Sequence, residues 1–116
     1  MIAEPAAFDS AHFSAQALAS SSALAAVLDH TLLKPDATRA QVLQLCHEAA
    51  EHRFACAMVN ATWASTAAEV LAGTGVPVGV VVGFPLGAML PGSKRDETAR
   101  ILKYGCLLYT SDAADE

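Results

Sequence analysis

Residues 27–38 read Val-Leu-Asp-His-Thr-Leu-Leu-Lys-Pro-Asp-Ala-Thr, and this stretch decides the fold. An apolar pair, Val27 and Leu28, runs into the polar trio Asp29, His30 and Thr31. Two leucines follow, then a Lys-Pro-Asp turn and Thr38. The string predicts a short strand with a polar C-terminal half, then a turn, then a helix. Side chains alternate along a strand, so Asp29 and Thr31 share one face while Leu28, His30 and Leu32 share the other. A carboxylate and a hydroxyl on one face of an apolar strand are costly to bury without partners. Either they find hydrogen bonds inside the fold or they line a polar pocket.

Downstream, Thr38 and Gln41 have the spacing of a capping box, in which each side chain satisfies a free backbone N–H at a helix start. Val42, Leu45, Cys46, Ala49 and Ala50 then recur at helical spacing as one apolar stripe. His52 and Arg53 suit the helix C-terminus. Residues 54–60, Phe-Ala-Cys-Ala-Met-Val-Asn, form the nearly continuous apolar run of a strand buried on both faces. Thr62 is placed to cap a second helix over 63–72, with Gly73 to end it. Residues 76–82, Val-Pro-Val-Gly-Val-Val-Val, predict a third, β-branched strand. A tight Gly-Phe-Pro-Leu-Gly loop at 83–87 and a third helix over 93–104 complete the pattern. Upstream, residues 1–12 show no period, and 14–26 predict an Ala- and Ser-rich helix or a frayed arm.

The three strands begin near residues 28, 54 and 76, so the intervals are 26 and 22 residues, each holding one helix. Strand–helix repeats of this kind build parallel sheets through right-handed crossovers. The candidates are an open doubly wound sheet and an eight-unit barrel, which takes about 250 residues to close.

Composition narrows the classes. With 53% hydrophobic and 16% charged residues in 116, the chain is globular rather than disordered, and sized for one small domain or part of a larger one. Net charge is −5 and nothing basic clusters, which argues against a nucleic-acid surface. The first 33 residues hold no Lys or Arg, unlike a secretory signal or an Arg-rich transit peptide. No 18-residue apolar run predicts a membrane helix. Three widely spaced cysteines, Cys46, Cys56 and Cys106, fit free thiols in a reducing cytoplasm better than a disulfide framework.

Taken together, Leu28 to Thr38, Val59-Asn60 with Trp63, and Val82-Gly83-Phe84-Pro85-Leu86-Gly87-Ala88 resemble the deoxyribose-phosphate aldolase family. Lys94 and Glu97 fall where the family's next helix carries a Lys and a Glu. The resemblance runs over about residues 24–105 in one register without gaps. It implies an α/β fold, an incomplete (β/α)₈ TIM barrel holding the first three βα units only. Residues 1–23 then form an N-terminal arm, and 106–116 an aberrant tail foreign to the family. It implies reversible cleavage of 2-deoxy-D-ribose 5-phosphate to glyceraldehyde 3-phosphate and acetaldehyde by a class I, Schiff-base aldolase that uses no metal or cofactor. Its partners are a small-molecule sugar phosphate and an aldehyde, with no nucleic acid and no membrane, and the parent enzyme is expected to be a homodimer. The family's imine-forming Lys, second Lys and proton-shuttling Asp lie on later strands, so this chain is expected to be an inactive N-terminal fragment.

The resemblance gives Asp29 a supporting catalytic role at the C-terminal mouth of the barrel, and places Thr31, Met58 and Asn60 at the substrate. Active sites of such barrels sit at that face. The alternative for Asp29 is a buried carboxylate paired with Thr31 or a backbone N–H. Met58 stands where the family often has Cys, and Cys56 shares its strand face one step deeper. His30 is expected to pack, hydrogen-bonded, against the helix layer. His47 has Glu51 rather than His at i+4, which does not make a zinc-protease helix. Lys34, Lys94 and Lys103 are the only lysines, and their turn and helix-face positions assign them surface roles. The 83–87 loop could cradle phosphate by its backbone, or serve as a Pro-fixed turn. A rival reading is a small self-contained α/β binding or interaction module, whose third strand would then be an apolar edge prone to aggregate.

Overall fold

A computed structural model describes residues 7–105 and 108–111. Its centre is a parallel sheet in the order β1 (Asp29–Leu32), β2 (Cys56–Asn60), β3 (Val78–Val82), β4 (Leu108–Ser111). The register pairs Asp29 with Cys56, Thr31 with Met58, Met58 with Gly79 and Asn60 with Val81. Ala55 N–H donates to the Leu28 carbonyl at 2.8 Å just below β1, which locks that register at its start.

The connecting helices are α3 (Arg39–His52), α4 (Ala64–Leu71) and α5 (Pro91–Lys103). The capping box at Thr38 and Gln41 forms as the spacing predicts. Val42, Leu45, Cys46 and Ala49 of α3, Ala64, Ala67 and Leu71 of α4, and Ile101 of α5 share one core with Ala57, Val59, Val78, Val80 and Val82. All three helices therefore cover the same side of the sheet. Sequential strand order with helices on one side differs from a doubly wound sheet, which carries helices on both faces.

Three expectations need correction. The sheet has four strands rather than three, because Leu108–Ser111 of the tail lies parallel to β3, with Val80 opposite Tyr109. Leu-Tyr-Thr has strand propensity, and the β3 edge offers it unpaired backbone groups. Residues 106, 107 and 112–116 lie outside the described residues. The arm is two short helices rather than one, α1 (Ser10–Ala17) and α2 (Ser21–Ala25). Ser20 interrupts them because its hydroxyl accepts the Ala23 N–H at 3.0 Å and starts a new helix. Thr62 does not cap α4; it sits inside a 3₁₀ turn, Ala61–Trp63, that precedes it. Among the described residues, no helix is long and apolar enough to cross a membrane.

Candidate functional site

The second side of the sheet carries no helix of the core. Alternation and register place Asp29 and Thr31 of β1, Cys56, Met58 and Asn60 of β2, and Gly79 and Val81 of β3 on it. The four residues singled out from the sequence, Asp29, Thr31, Met58 and Asn60, thus share one open face. Their burial is graded: Asp29 and Thr31 are exposed, Met58 and Asn60 half-buried, Cys56 and Val81 buried.

Within the face they occupy different levels. Asp29 opens β1 opposite Cys56 rather than standing at the C-terminal rim. Asn60 ends β2, four residues and therefore about 13 Å further along the strands. Thr31 and Met58 form the row between. The Thr31 hydroxyl donates to its own strand, to the Asp29 carbonyl at 3.1 Å, and keeps its lone pairs for a ligand. Asn60 Nδ2 donates to the Leu33 carbonyl at 3.1 Å, tying the end of β2 to the turn after β1. That bond occupies one amide donor and leaves the amide oxygen and the second N–H.

Three members of the face, Cys56, Gly79 and Val81, were not assigned a role from the sequence. Cys56 is fully buried, and its thiol is pushed up to about 12, first by burial and then by the hydrogen bond and charge of Asp29. Both effects disfavour the thiolate, which is the reactive form. Gly79 is the space-giver. A Cβ there would meet Met58 Cε at 2.7 Å, Met58 Sδ at 3.0 Å and Cys56 Sγ at 3.2 Å. Met58 therefore lies down across β3 instead of standing out from the sheet. A glycine inside an otherwise β-branched strand is the sequence signal for such close approach.

The opposite side of β1 is anchored. His30 Nε2 and Glu48 Oε1 lie 3.0 Å apart, and the imidazole stacks on Phe54 with centroids 4.8 Å apart. This is the packed, hydrogen-bonded histidine expected from alternation. The Glu48 carboxyl is lowered, chiefly by that bond to His30. His52 packs edge-on against Phe54, with ring centroids 6.2 Å apart. Of the three lysines, Lys34 is exposed after β1, and Lys94 and Lys103 lie on α5, so none stands on the open face. In the 83–87 loop the Gly87 N–H donates to the Gly83 carbonyl, so the loop closes on itself.

The arrangement is a one-sided parallel α/β sheet with a mixed polar and sulfur-lined face along its strands. No protein-family model matches the chain. Individual relatives do. A deoxyribose-phosphate aldolase of Geobacillus sp. (strain WCH70) is 52% identical over 82 residues, 71% of this chain and 37% of the relative. Deoxyribose-phosphate aldolase 1 of Mesoplasma florum is 50% identical over 78 residues, 67% of this chain and 36% of the relative. Among solved structures, the tetrameric deoxyribose phosphate aldolase of Aeropyrum pernix superposes with a TM-score of 0.80 at 31% identity, covering 92% of this chain and 46% of that one. Over about two thirds of its length the chain is homologous to enzymes named deoxyribose-phosphate aldolase. It spans little more than a third of the length of the curated relatives it matches.

Proposed function

We propose that residues 24–105 are the first three βα units of a (β/α)₈ deoxyribose-phosphate aldolase. The intact enzyme is read as a cytoplasmic class I lyase that reversibly cleaves 2-deoxy-D-ribose 5-phosphate to glyceraldehyde 3-phosphate and acetaldehyde. The observation that carries this is the coincidence of Asp29, Thr31, Met58 and Asn60 on the face of the sheet opposite the core helices, in a segment about half identical to enzymes of that name. In this reading Asp29 is the polar group that supports proton transfer, and Thr31 and Asn60 offer hydrogen bonds to substrate hydroxyls. Met58 supplies an apolar contact. A Schiff base needs a lysine whose pKa is depressed by burial or a neighbouring cation. The lysines here are on the turn and helix side, so the chain by itself forms no imine. Arrival of that amine from other strands completes the site.

The test is a chimera. The 82 residues of this chain replace the matching segment of the Geobacillus enzyme. Retained cleavage, lost by about tenfold or more in Asp29→Asn, supports the reading; a fully active Asp29→Asn chimera refutes the role of Asp29. In parallel, acetaldehyde and borohydride are added to the chain alone. A stoichiometric reduced adduct on Lys34, Lys94 or Lys103 overturns the assignment of the chemistry to other strands.

One observation favours a second reading, a self-contained α/β module without catalysis. β4 covers the β3 edge that would otherwise invite aggregation. A monomeric chain that melts cooperatively, together with an inactive chimera, would select it.

A further inference from the structure

The sheet ends on two free strands. Among the described residues β1 pairs only with β2, and β4 only with β3. All four strands run parallel, so one edge can meet the other edge of a second copy without reversing direction. Exposure follows position in the sheet: every residue of β3 is buried, whereas Asp29 and Thr31 of β1 are exposed. Natural edge strands are commonly blunted by Lys, Pro or a bulge. Neither Asp29-His30-Thr31-Leu32 nor Leu108-Tyr109-Thr110-Ser111 contains Lys or Pro. The chain also carries too much surface for a monomer. A folded monomer of 12.0 kDa has about 6,000 Å² of accessible surface, and this chain has 7920 Å², an excess of about 1,900 Å². Its radius of gyration is 16.0 Å, against about 13 Å for a compact domain of this length. Two copies that hid this excess would bury about 3,800 Å² in total, within the range of roughly 2,000–5,000 Å² for obligate homodimers.

We infer that two copies of this chain close on each other as an eight-stranded parallel barrel, with β1 of each copy beside β4 of the other. Eight strands enclose an interior that side chains just fill. Four parallel strands in sequential order, with the core helices on one side, are half of that ring. A two-fold axis along the barrel repeats the β1–β4 seam twice, keeps every strand parallel and leaves no edge. The core helices stay outside, and the two open faces meet inside. The candidate site is then incomplete in one copy: each copy supplies an Asp29, a Thr31, a Met58 and an Asn60 to one enclosed space. The inference goes beyond the aldolase reading and does not rest on it. No lysine stands on the open face, so the pair encloses that face without an imine-forming amine. Asp29 sets the cost of closure. It is exposed in the single chain, and closing places two carboxylates in one interior, where they lose water and repel.

The experiment uses the full chain. Sedimentation equilibrium is expected to give one species of twice the 12.0 kDa chain mass. A monomer at every concentration overturns the inference. So does a ladder of larger species, which is what seams that fail to close would build. The seam is located by mixing nitrogen-labelled with carbon-labelled copies and recording the NOEs between them. Contacts between β1 of one copy and β4 of the other are expected. Contacts of β1 with β1 or of β4 with β4, or contacts confined to the arm and the helices, overturn it. Asp29→Asn removes the enclosed charge and keeps the shape of the side chain, so the dimer should tighten by about tenfold or more. An unchanged or weaker dimer overturns the closed geometry. If Asp29→Asn does not fold, the mass and the NOEs of the wild type decide. None of these readouts needs turnover. An inactive chimera with a dimeric chain rejects the aldolase reading alone, and an active chimera with a monomeric chain rejects this inference alone.

Discussion

Gly79→Ala tests the packing that shapes the candidate site. The new methyl would lie 2.7 Å from Met58 Cε and 3.0 Å from Met58 Sδ. Carbon atoms rest at about 3.5–4.0 Å, so the end of Met58 must retreat by roughly 1 Å. Cys56 Sγ, at 3.2 Å, must give by a few tenths. Overpacking a core costs about 1–3 kcal/mol, and a flexible thioether puts this site toward the lower end. Against that, replacing a strand glycine with alanine gains about 0.5–1 kcal/mol from the unfolded chain. The net expectation is a loss of about 0.5 kcal/mol, or roughly 2–4 °C in Tm for a domain of this size. The decisive assay is a double-mutant cycle with Met58→Ala, read by urea unfolding under circular dichroism. Without the Met58 side chain the same Gly79→Ala change should become neutral or slightly stabilising. The coupling is then about 1–1.5 kcal/mol, well above the roughly 0.3–0.5 kcal/mol scatter of independent sites. An equal cost of Gly79→Ala in both backgrounds would refute the idea that Met58 lies across this glycine.

Other parts of the frame give separate tests. Glu48 is held below its ordinary value of 4.5 by His30, so it stabilises the fold above that pH and the contribution is lost as pH falls through its lowered value. The unfolding-midpoint gap between wild type and Glu48→Gln should accordingly be full above pH 4.5 and close on acidification; a gap that widens contradicts the sign. Thr38→Ala removes the hydroxyl that accepts the Gln41 N–H at 3.2 Å and should cost about 1 kcal/mol in urea unfolding, with Thr38→Ser recovering most of it. Ile101 is the one buried residue of α5, 2% exposed, and Ile101→Ala should cost about 2–5 kcal/mol. Amide exchange should then accelerate in α5 ahead of α3; uniform acceleration would mean that α5 is not anchored through this one side chain.

The strand–helix repeat was legible because its period is carried by side chains that the core must bury. The apolar stripe from Val42 to Ala49 and the run from Cys56 to Val59 meet in one cluster, so local pattern and packing agree. His30 was readable for the same reason, since alternation sends it to the side where α3 brings Glu48. The fourth strand was not readable. Leu108–Ser111 is four residues long, too short a run to show a period, and its pairing depends on the edge supplied by β3. The split of the arm at Ser20 turns on one cap hydrogen bond in an Ala- and Ser-rich stretch where helix, cap and coil differ by little.

The candidate site divides along a physical line. Asp29 and Thr31 stand out because polar side chains on an apolar strand demand a reason. Alternation already put Cys56 on the face of Met58, but Gly79 and Val81 share that face and in sequence look like core, because apolar and small residues carry no mark of which side of a sheet they face. Only the register, with Asp29 opposite Cys56 and Met58 opposite Gly79, turns three separate strands into one surface. It also sets depth. A strand that begins at Asp29 puts its carboxylate level with Cys56 and not at the rim, whatever the alternation says about its face. Polarity therefore identified the face, while pairing determined what lies beside Asp29.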